Sequence, residues 1–176
     1  VMITSEAAED LFRKVYLELT REEIEELTKH FGNSLLNVNI TGGEPFLQPD
    51  IFRIVEAYFR NAGVNSVYIT THGGFTERTK KFIDQFLEAG IDGQLIFSFS
   101  LDNFEKSHNE NRRLRDLFQN TLNTFRMVRN YNKPNITPNI AITVTHHNYD
   151  QVMPLYRYLR DEEAVDAFTA IAMREQ

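Results

Sequence analysis

Ile40-Thr41-Gly42-Gly43-Glu44-Pro45-Phe46-Leu47 is the stretch on which the reading of this chain turns. A short β-type run, Leu36 to Ile40, ends in two adjacent glycines, a carboxylate and a proline. Two glycines let bare backbone approach whatever sits above the strand end. The carboxylate after them can accept hydrogen bonds from a cationic amine. Pro45 fixes its own φ and removes a donor, which stiffens the exit. A tight strand-to-helix turn would use the same residues. The stretch gains meaning from its place in a series of strand-helix units.

Working outward, strands are expected at Val1–Thr4, Leu36–Thr41, Ser66–Thr71, Leu95–Leu101, Asn139–Thr145 and Ala167–Ala172. Most are continuous apolar or β-branched runs, as in parallel strands covered on both faces. Helical patterns lie between them. Thr20-x-x-Glu23 reads as a capping box, with Leu19 and Ile24 as a hydrophobic staple, ahead of an apolar face of Ile24, Leu27 and Phe31. Asp50 is placed to cap a second helix carrying Ile51, Ile54, Tyr58 and Phe59, which stops at Gly63. Thr76 opens a third with Phe82, Ile83, Phe86 and Leu87. Leu114, Leu117, Phe118, Leu122, Phe125 and Val128 mark a fourth. Asp150 starts a fifth with Val152, Leu155, Tyr156 and Leu159. These stripes are core.

Strand-helix alternation implies right-handed crossovers and a parallel α/β sheet. Six such units are too few for a closed eightfold barrel of about 250 residues. What remains is a partial (βα)6-type open barrel or a doubly wound sheet. Both bind ligands at the carboxyl ends of the strands. Those ends are polar: Gly42, Gly43 and Glu44; then Thr70, Thr71, His72, Gly73 and Gly74; then Ser100, Asp102 and Asn103, followed by Ser107, His108, Glu110 and Arg112; then Thr145, His146, His147 and Asn148; then Arg174. Each alone is ordinary turn chemistry; polar clusters at successive strand ends point to a shared site.

Composition bounds the function. The 176 residues carry a net charge of -6 and 41% hydrophobic residues. That is an ordinary globular balance, read as one domain, and it weighs against a nucleic-acid backbone as partner. No apolar run approaches the ~20 residues of a membrane helix. No signal peptide is visible, so a cytoplasmic setting is expected. There is no cysteine.

The strand ends together resemble the catalytic core of radical S-adenosylmethionine (radical SAM) enzymes. Gly42-Gly43-Glu44-Pro45 is similar to the family's GGE motif. Ile69-Thr70-Thr71-His72-Gly73 is similar to its "TTNG" strand end, with His72 where Asn is common. Ser98-Phe99-Ser100-Leu101-Asp102-Asn103 resembles "S-x-D-G", with Asn103 for Gly. His108-Asn109-Glu110-Asn111-Arg112-Arg113 resembles "H-D-x-x-R-G", and Phe118 fits the phenylalanine of the following helix. The match runs from about Leu19 to Asn148, with four motifs in the family's order.

The resemblance implies a [4Fe–4S] cluster that binds the methionine amine and carboxylate of S-adenosylmethionine, and a 5′-deoxyadenosyl radical that abstracts hydrogen. It implies a small-molecule or peptide substrate and an electron donor such as a flavodoxin or ferredoxin. Carried over by motif, Gly42, Gly43 and Glu44 hold the amine. Ser100 faces ribose or carboxylate, Arg112 contacts the carboxylate, and Asp102 orders its loop. Thr71 and Thr145 lie near the sugar or adenine, and His72 is placed to face substrate or to be a satisfied loop histidine. The family's three cluster cysteines, spaced C-x3-C-x2-C after the first strand, have no counterpart. Their loop is expected to be absent between Thr4 and Ser5, leaving this sequence inactive by itself as a core domain shortened at its C-terminus. A cysteine-free relative that has lost the chemistry is the other explanation.

Other classes fit less well. A metal-dependent hydrolase could use Glu44, His72, Asp102 and His146, but no H-x-H or H-E-x-x-H pattern occurs, and adjacent His146 and His147 would point apart in an extended segment. A non-catalytic binding domain predicts no S-adenosylmethionine binding. A phosphate site lacks the Lys and Ser/Thr of a P-loop after Gly42-Gly43.

Overall fold

The computed structural model describes residues 19–173; Val1–Thr4, the Thr4–Ser5 junction and Arg174 lie outside them. The elements are α1 (Arg21–Phe31), β1 (Asn37–Ile40), a 3-10 turn (Pro45–Leu47), α2 (Ile51–Ala62), β2 (Ser66–Thr71), α3 (Thr76–Glu88), β3 (Gln94–Ser100), α4 (Glu105–Arg112), α5 (Leu117–Asn130), β4 (Ile136–Val144), α6 (Tyr149–Asp161) and β5 (Phe168–Ala172). All strand pairs are parallel and the sheet order is β1-β2-β3-β4-β5. A doubly wound sheet would reverse its order at a switch point. This one advances in a single direction, so it is an open, partial barrel.

The capping box on α1 forms as expected: Glu23 N donates to Thr20 Oγ1 at 3.2 Å, and Thr20 N donates to Glu23 Oε2 at 2.7 Å. Asp50 behaves differently, because its side chain makes no cap; its carbonyl accepts Ile54 N instead. Residues 105–112 form a helix that the sequence reading did not include. α4 buries only His108, so it has no apolar stripe for periodicity to reveal.

The strands are less uniform than their apolar runs suggest. Val67, Ile69, Leu95, Phe97, Phe99, Ile136, Ile140 and Ile142 are buried beneath the helices. The opposite face carries Tyr68, Thr70, Ile96, Ser98, Ser100, Asn139 and Thr143, all half-buried or exposed. Register places Thr70 beside Ser98 and Ser98 beside Asn139, where Ser98 Oγ donates to Asn139 Oδ1 at 3.1 Å. One face is therefore core and the other a polar wall. Phe97, Phe99 and Ile142 belong to the core face.

A column of rings ties the core to the sheet's carboxyl end. Phe46 stacks on Phe97 at 6.3 Å and meets Phe82 edge-on at 5.7 Å; Phe97 continues to Phe99 at 6.0 Å, and Phe99 to Phe125 at 6.1 Å. Such pairs add about 0.5–1.5 kcal/mol each beyond the area they bury. Phe46 follows Glu44 by two residues, so core packing fixes the turn that presents the carboxylate.

Candidate functional site

The site begins at the end of β1. Gly42 has φ of 129°, a conformation that side chains rarely adopt, and a Cβ on Gly42 or Gly43 would meet nothing within 4 Å. The two glycines thus border open space, and Gly42 is also required by its backbone conformation. Pro45 starts the 3-10 turn, and Arg78 Nη1 donates to Phe46 O at 2.9 Å, clamping the turn to α3. Glu44 is held between them with its side chain only 5% exposed.

Three hydrogen-bond donors and one imidazole nitrogen surround the Glu44 carboxylate. Oε1 accepts Phe46 N at 3.1 Å and Thr71 Oγ1 at 2.7 Å. Oε2 accepts His72 N at 2.9 Å and lies 3.3 Å from His72 Nε2. Thr71 Oγ1 also accepts Gly73 N at 3.0 Å, and His72 Nδ1 accepts Gly74 N at 2.9 Å. A ring nitrogen that accepts an amide proton carries none itself, so the His72 proton sits on Nε2, facing Glu44.

Helix α5 supports this loop from behind. Thr121 Oγ1 donates to His72 O at 2.6 Å and Thr124 Oγ1 to Gly73 O at 2.7 Å. Gly73 has φ of 73°, and a Cβ there would lie 3.0 Å from Thr121 Cα and from Phe99 Cδ1. These threonines were not singled out in the sequence. Their signal was present: two hydroxyls three residues apart inside the apolar stripe of Leu117, Phe118, Leu122 and Phe125.

The second half of the site lies past β3 and β4. Asp102 Oδ1 accepts Thr143 N at 2.7 Å and its Oδ2 accepts Arg112 Nη2 at 2.6 Å. Asn148 Nδ2 donates to Asp102 O at 2.8 Å and to Thr143 O at 2.9 Å. Thr145 Oγ1 is engaged in the same turn, 3.3 Å from Asn148 Oδ1 and accepting His147 N at 3.2 Å. Asp102, Arg112, Thr145 and Asn148 help line a cavity of about 330 Å3. Ser100 is the last residue of β3, half-buried beside Ala141 of β4. A larger cavity of about 490 Å3 lies on the helix side, between the 3-10 turn, α2 and α3; apart from Phe46 and Leu47 it contains none of the strand-end residues.

His108 is buried beneath this region against Phe118, at 6.3 Å between rings, and its Nε2 has no hydrogen-bond partner. Burial, then the nearby Arg112 guanidinium, pushes its imidazole down to about 4.

The residues named for a metal-dependent hydrolase do not converge. Glu44 meets His72, but Asp102 pairs with Arg112, and the His146 ring packs on His147 at 3.7 Å. That contact corrects the expectation that the two histidines point apart: they sit in the turn after β4, not in an extended segment. Among the described residues no group of three His, Cys, Asp or Glu is placed to hold a metal ion. With no cysteine in the sequence, the residues present also do not fit an iron–sulfur cluster. They could hold the methionine end of S-adenosylmethionine: a fixed carboxylate beside open glycine backbone, with a guanidinium past the end of β3. Among the described residues no helix is long and apolar enough to cross a membrane.

Comparison with known proteins bears on the family and the fold. The chain is 30% identical over 146 residues to GTP 3′,8-cyclase of Lactiplantibacillus plantarum, covering 82% of this chain and 42% of that protein. It is 28% identical over 144 residues to the molybdenum cofactor biosynthesis protein moc-5 of Caenorhabditis elegans, covering 81% of this chain and 23% of that one. The chain therefore spans less than half the length of these relatives. Among solved structures, native anSMEcpe with bound AdoMet and a peptide superposes with a TM-score of 0.65 at 20% identity, over 88% of this chain and 43% of that one. Archaeal TYW1 superposes with a TM-score of 0.57 at 14% identity, over 85% of this chain and 52% of that one. Both likenesses concern the fold. The model of the Radical SAM superfamily matches residues 6–159, and the chain belongs to that superfamily, whose enzymes use S-adenosylmethionine and a [4Fe–4S] cluster.

Proposed function

We propose that this chain is the S-adenosylmethionine-binding core of a radical SAM enzyme, and that the complete gene product cleaves S-adenosylmethionine to a 5′-deoxyadenosyl radical. The observation that carries the reading is Glu44, a carboxylate only 5% exposed at the end of β1, beside glycines whose missing side chains leave open space. Gly42 and Gly43 offer backbone to the methionine amine and Glu44 offers its charge. Arg112 takes the methionine carboxylate, sharing or leaving Asp102 to do so. Ser100 serves the ribose or the carboxylate from the polar wall. Asp102 orders its loop through Thr143 and Asn148. Thr71 and Thr145 lie at the same strand ends, but their hydroxyls are engaged with Glu44 and with the Asn148 turn. They shape the site around the sugar rather than contact it.

In this superfamily the cluster supplies the electron that breaks the carbon–sulfur bond. No residue of this chain supplies a thiolate for it. What these residues contribute is binding, orientation and a dry anchor for the amine. The substrate is a small molecule or peptide that lies against Tyr68, Thr70, Ser98 and Asn139, side chains that are polar or aromatic and uncharged. A flavodoxin or ferredoxin is the expected electron donor.

The test uses the complete gene product purified without oxygen. Iron and sulfide are measured together with S-adenosylmethionine cleavage by dithionite. About four iron per chain and release of 5′-deoxyadenosine are expected. No iron and no cleavage would make this a binding domain on the same fold.

A further inference from the structure

Three hydrogen bonds reach Glu44: Phe46 N and Thr71 Oγ1 on Oε1, and His72 N on Oε2. The His72 ring stands at the remaining side of Oε2, its Nε2 3.3 Å away. A carboxylate has about four lone-pair positions, so an ammonium arriving at this carboxylate must displace a donor or move the ring. Phe46 N and His72 N belong to the main chain. Thr71 Oγ1 is pinned by Gly73 N, so removing it undoes the turn after β2. His72 Nε2 stands apart from these three. Its 3.3 Å contact is the longest, and its ring is held from the other side by Gly74 N on Nδ1. The ring folds back over Gly74, where a Cβ would lie 2.8 Å from His72 Cε1 and 2.9 Å from Nδ1, and it packs on Phe75 at 5.4 Å between centroids. A tilt of the ring therefore costs the Glu44 contact without costing the turn.

Resting on the reading of Glu44 as the amine acceptor, we propose that His72 is a positioning residue that keeps the place of the ligand's amine: its Nε2–H occupies Glu44 Oε2 in the free protein and yields that position to the amine on binding. The imidazole combines two tasks. Nδ1 does for the turn what the side-chain oxygen of Asn does in an Asx-turn. Nε2–H, which Asn has no counterpart for at that reach, keeps a buried carboxylate from standing partly unpaired when no ligand is present. The exchange makes S-adenosylmethionine compete with an internal donor, so His72 weakens binding of the amine and of nothing else on the ligand.

The experiment follows from that selectivity. His72→Asn retains an acceptor for Gly74 N and removes the Nε2–H donor. Binding of S-adenosylmethionine and of its 2-oxo analogue, in which a carbonyl replaces the α-amine, is measured by calorimetry on the complete gene product, wild type and His72→Asn. Affinity for S-adenosylmethionine is expected to rise roughly three- to tenfold in His72→Asn, as for loss of one competing hydrogen bond, with the analogue unchanged. Equal changes for both ligands, or none for either, would overturn the proposal while leaving Glu44 as the amine acceptor. Failure of the wild type to bind S-adenosylmethionine would overturn both. In the wild type, nitrogen NMR of the imidazole should show the Nε2–H form, and its Nε2 signal should move on adding S-adenosylmethionine but not the analogue. A signal indifferent to the amine contradicts the exchange without relying on any variant.

Discussion

Two glycines at the strand ends show how differently one residue type can be constrained. A Cβ at Gly73 would press on Thr121 Cα at 3.0 Å, with φ at 73°. Gly73→Ala is expected to cost about 1–3 kcal/mol in a urea titration, from strain and displacement of α5. Gly43 has no neighbour within 4 Å of the Cβ position. Gly43→Val should therefore leave the unfolding free energy in urea within about 0.5 kcal/mol of wild type while abolishing S-adenosylmethionine binding. Both glycines were visible in the sequence, but what distinguishes them was not, because the constraint on Gly73 comes from a helix that begins at Leu117. His108 is a similar case. It was read as a motif letter, and the structure makes it a buried imidazole held down to about 4. A histidine with a lowered value is neutral in the fold and protonates first in the unfolded chain. Its contribution is fully present above the unfolded value near 6.5 and is lost as pH falls toward 4. Wild type should thus lose stability by up to about 1.4 kcal/mol per pH unit below pH 6.5 relative to His108→Leu. Parallel pH profiles for the two proteins would refute the assignment.

At the scale of elements, strand and helix order was legible because buried stripes repeat at fixed periods. β2 at Ser66–Thr71 and the start of α3 at Thr76 fall where the pattern puts them. α4 was not legible, since a polar helix with one buried residue has no stripe. Its role is clear only in three dimensions: it carries Arg112 back to Asp102 across ten residues of chain. That pairing makes the role of Arg112 testable. Asp102 keeps its Thr143 N hydrogen bond without Arg112, and half-exposed ion pairs contribute little, so Arg112→Ala should change stability by less than about 1 kcal/mol. The same variant should weaken S-adenosylmethionine binding by about 1.5–3 kcal/mol, the range for a charge-assisted bond. Loss of stability with unchanged affinity would make Arg112 a structural residue only.

For the molecule as a whole, the alternation of strands and helices left two architectures open, and the one-directional order of five parallel strands decides for the partial barrel. The sequence could not show that one sheet face is polar, because Ser98, Ser100 and Asn139 sit within runs dominated by their apolar neighbours. The candidate site residues could be named as a set because ligand sites in such folds gather at the carboxyl ends of strands. Their mutual contacts, Glu44 with His72 above all, needed coordinates. The central claim is that Glu44 anchors the amine of S-adenosylmethionine, and calorimetry of S-adenosylmethionine binding to the complete gene product and its Glu44→Ala variant tests it most directly. A loss of about 1.5–3 kcal/mol, roughly 10- to 150-fold in affinity, is the expected result. Equal affinity in the two proteins would contradict it.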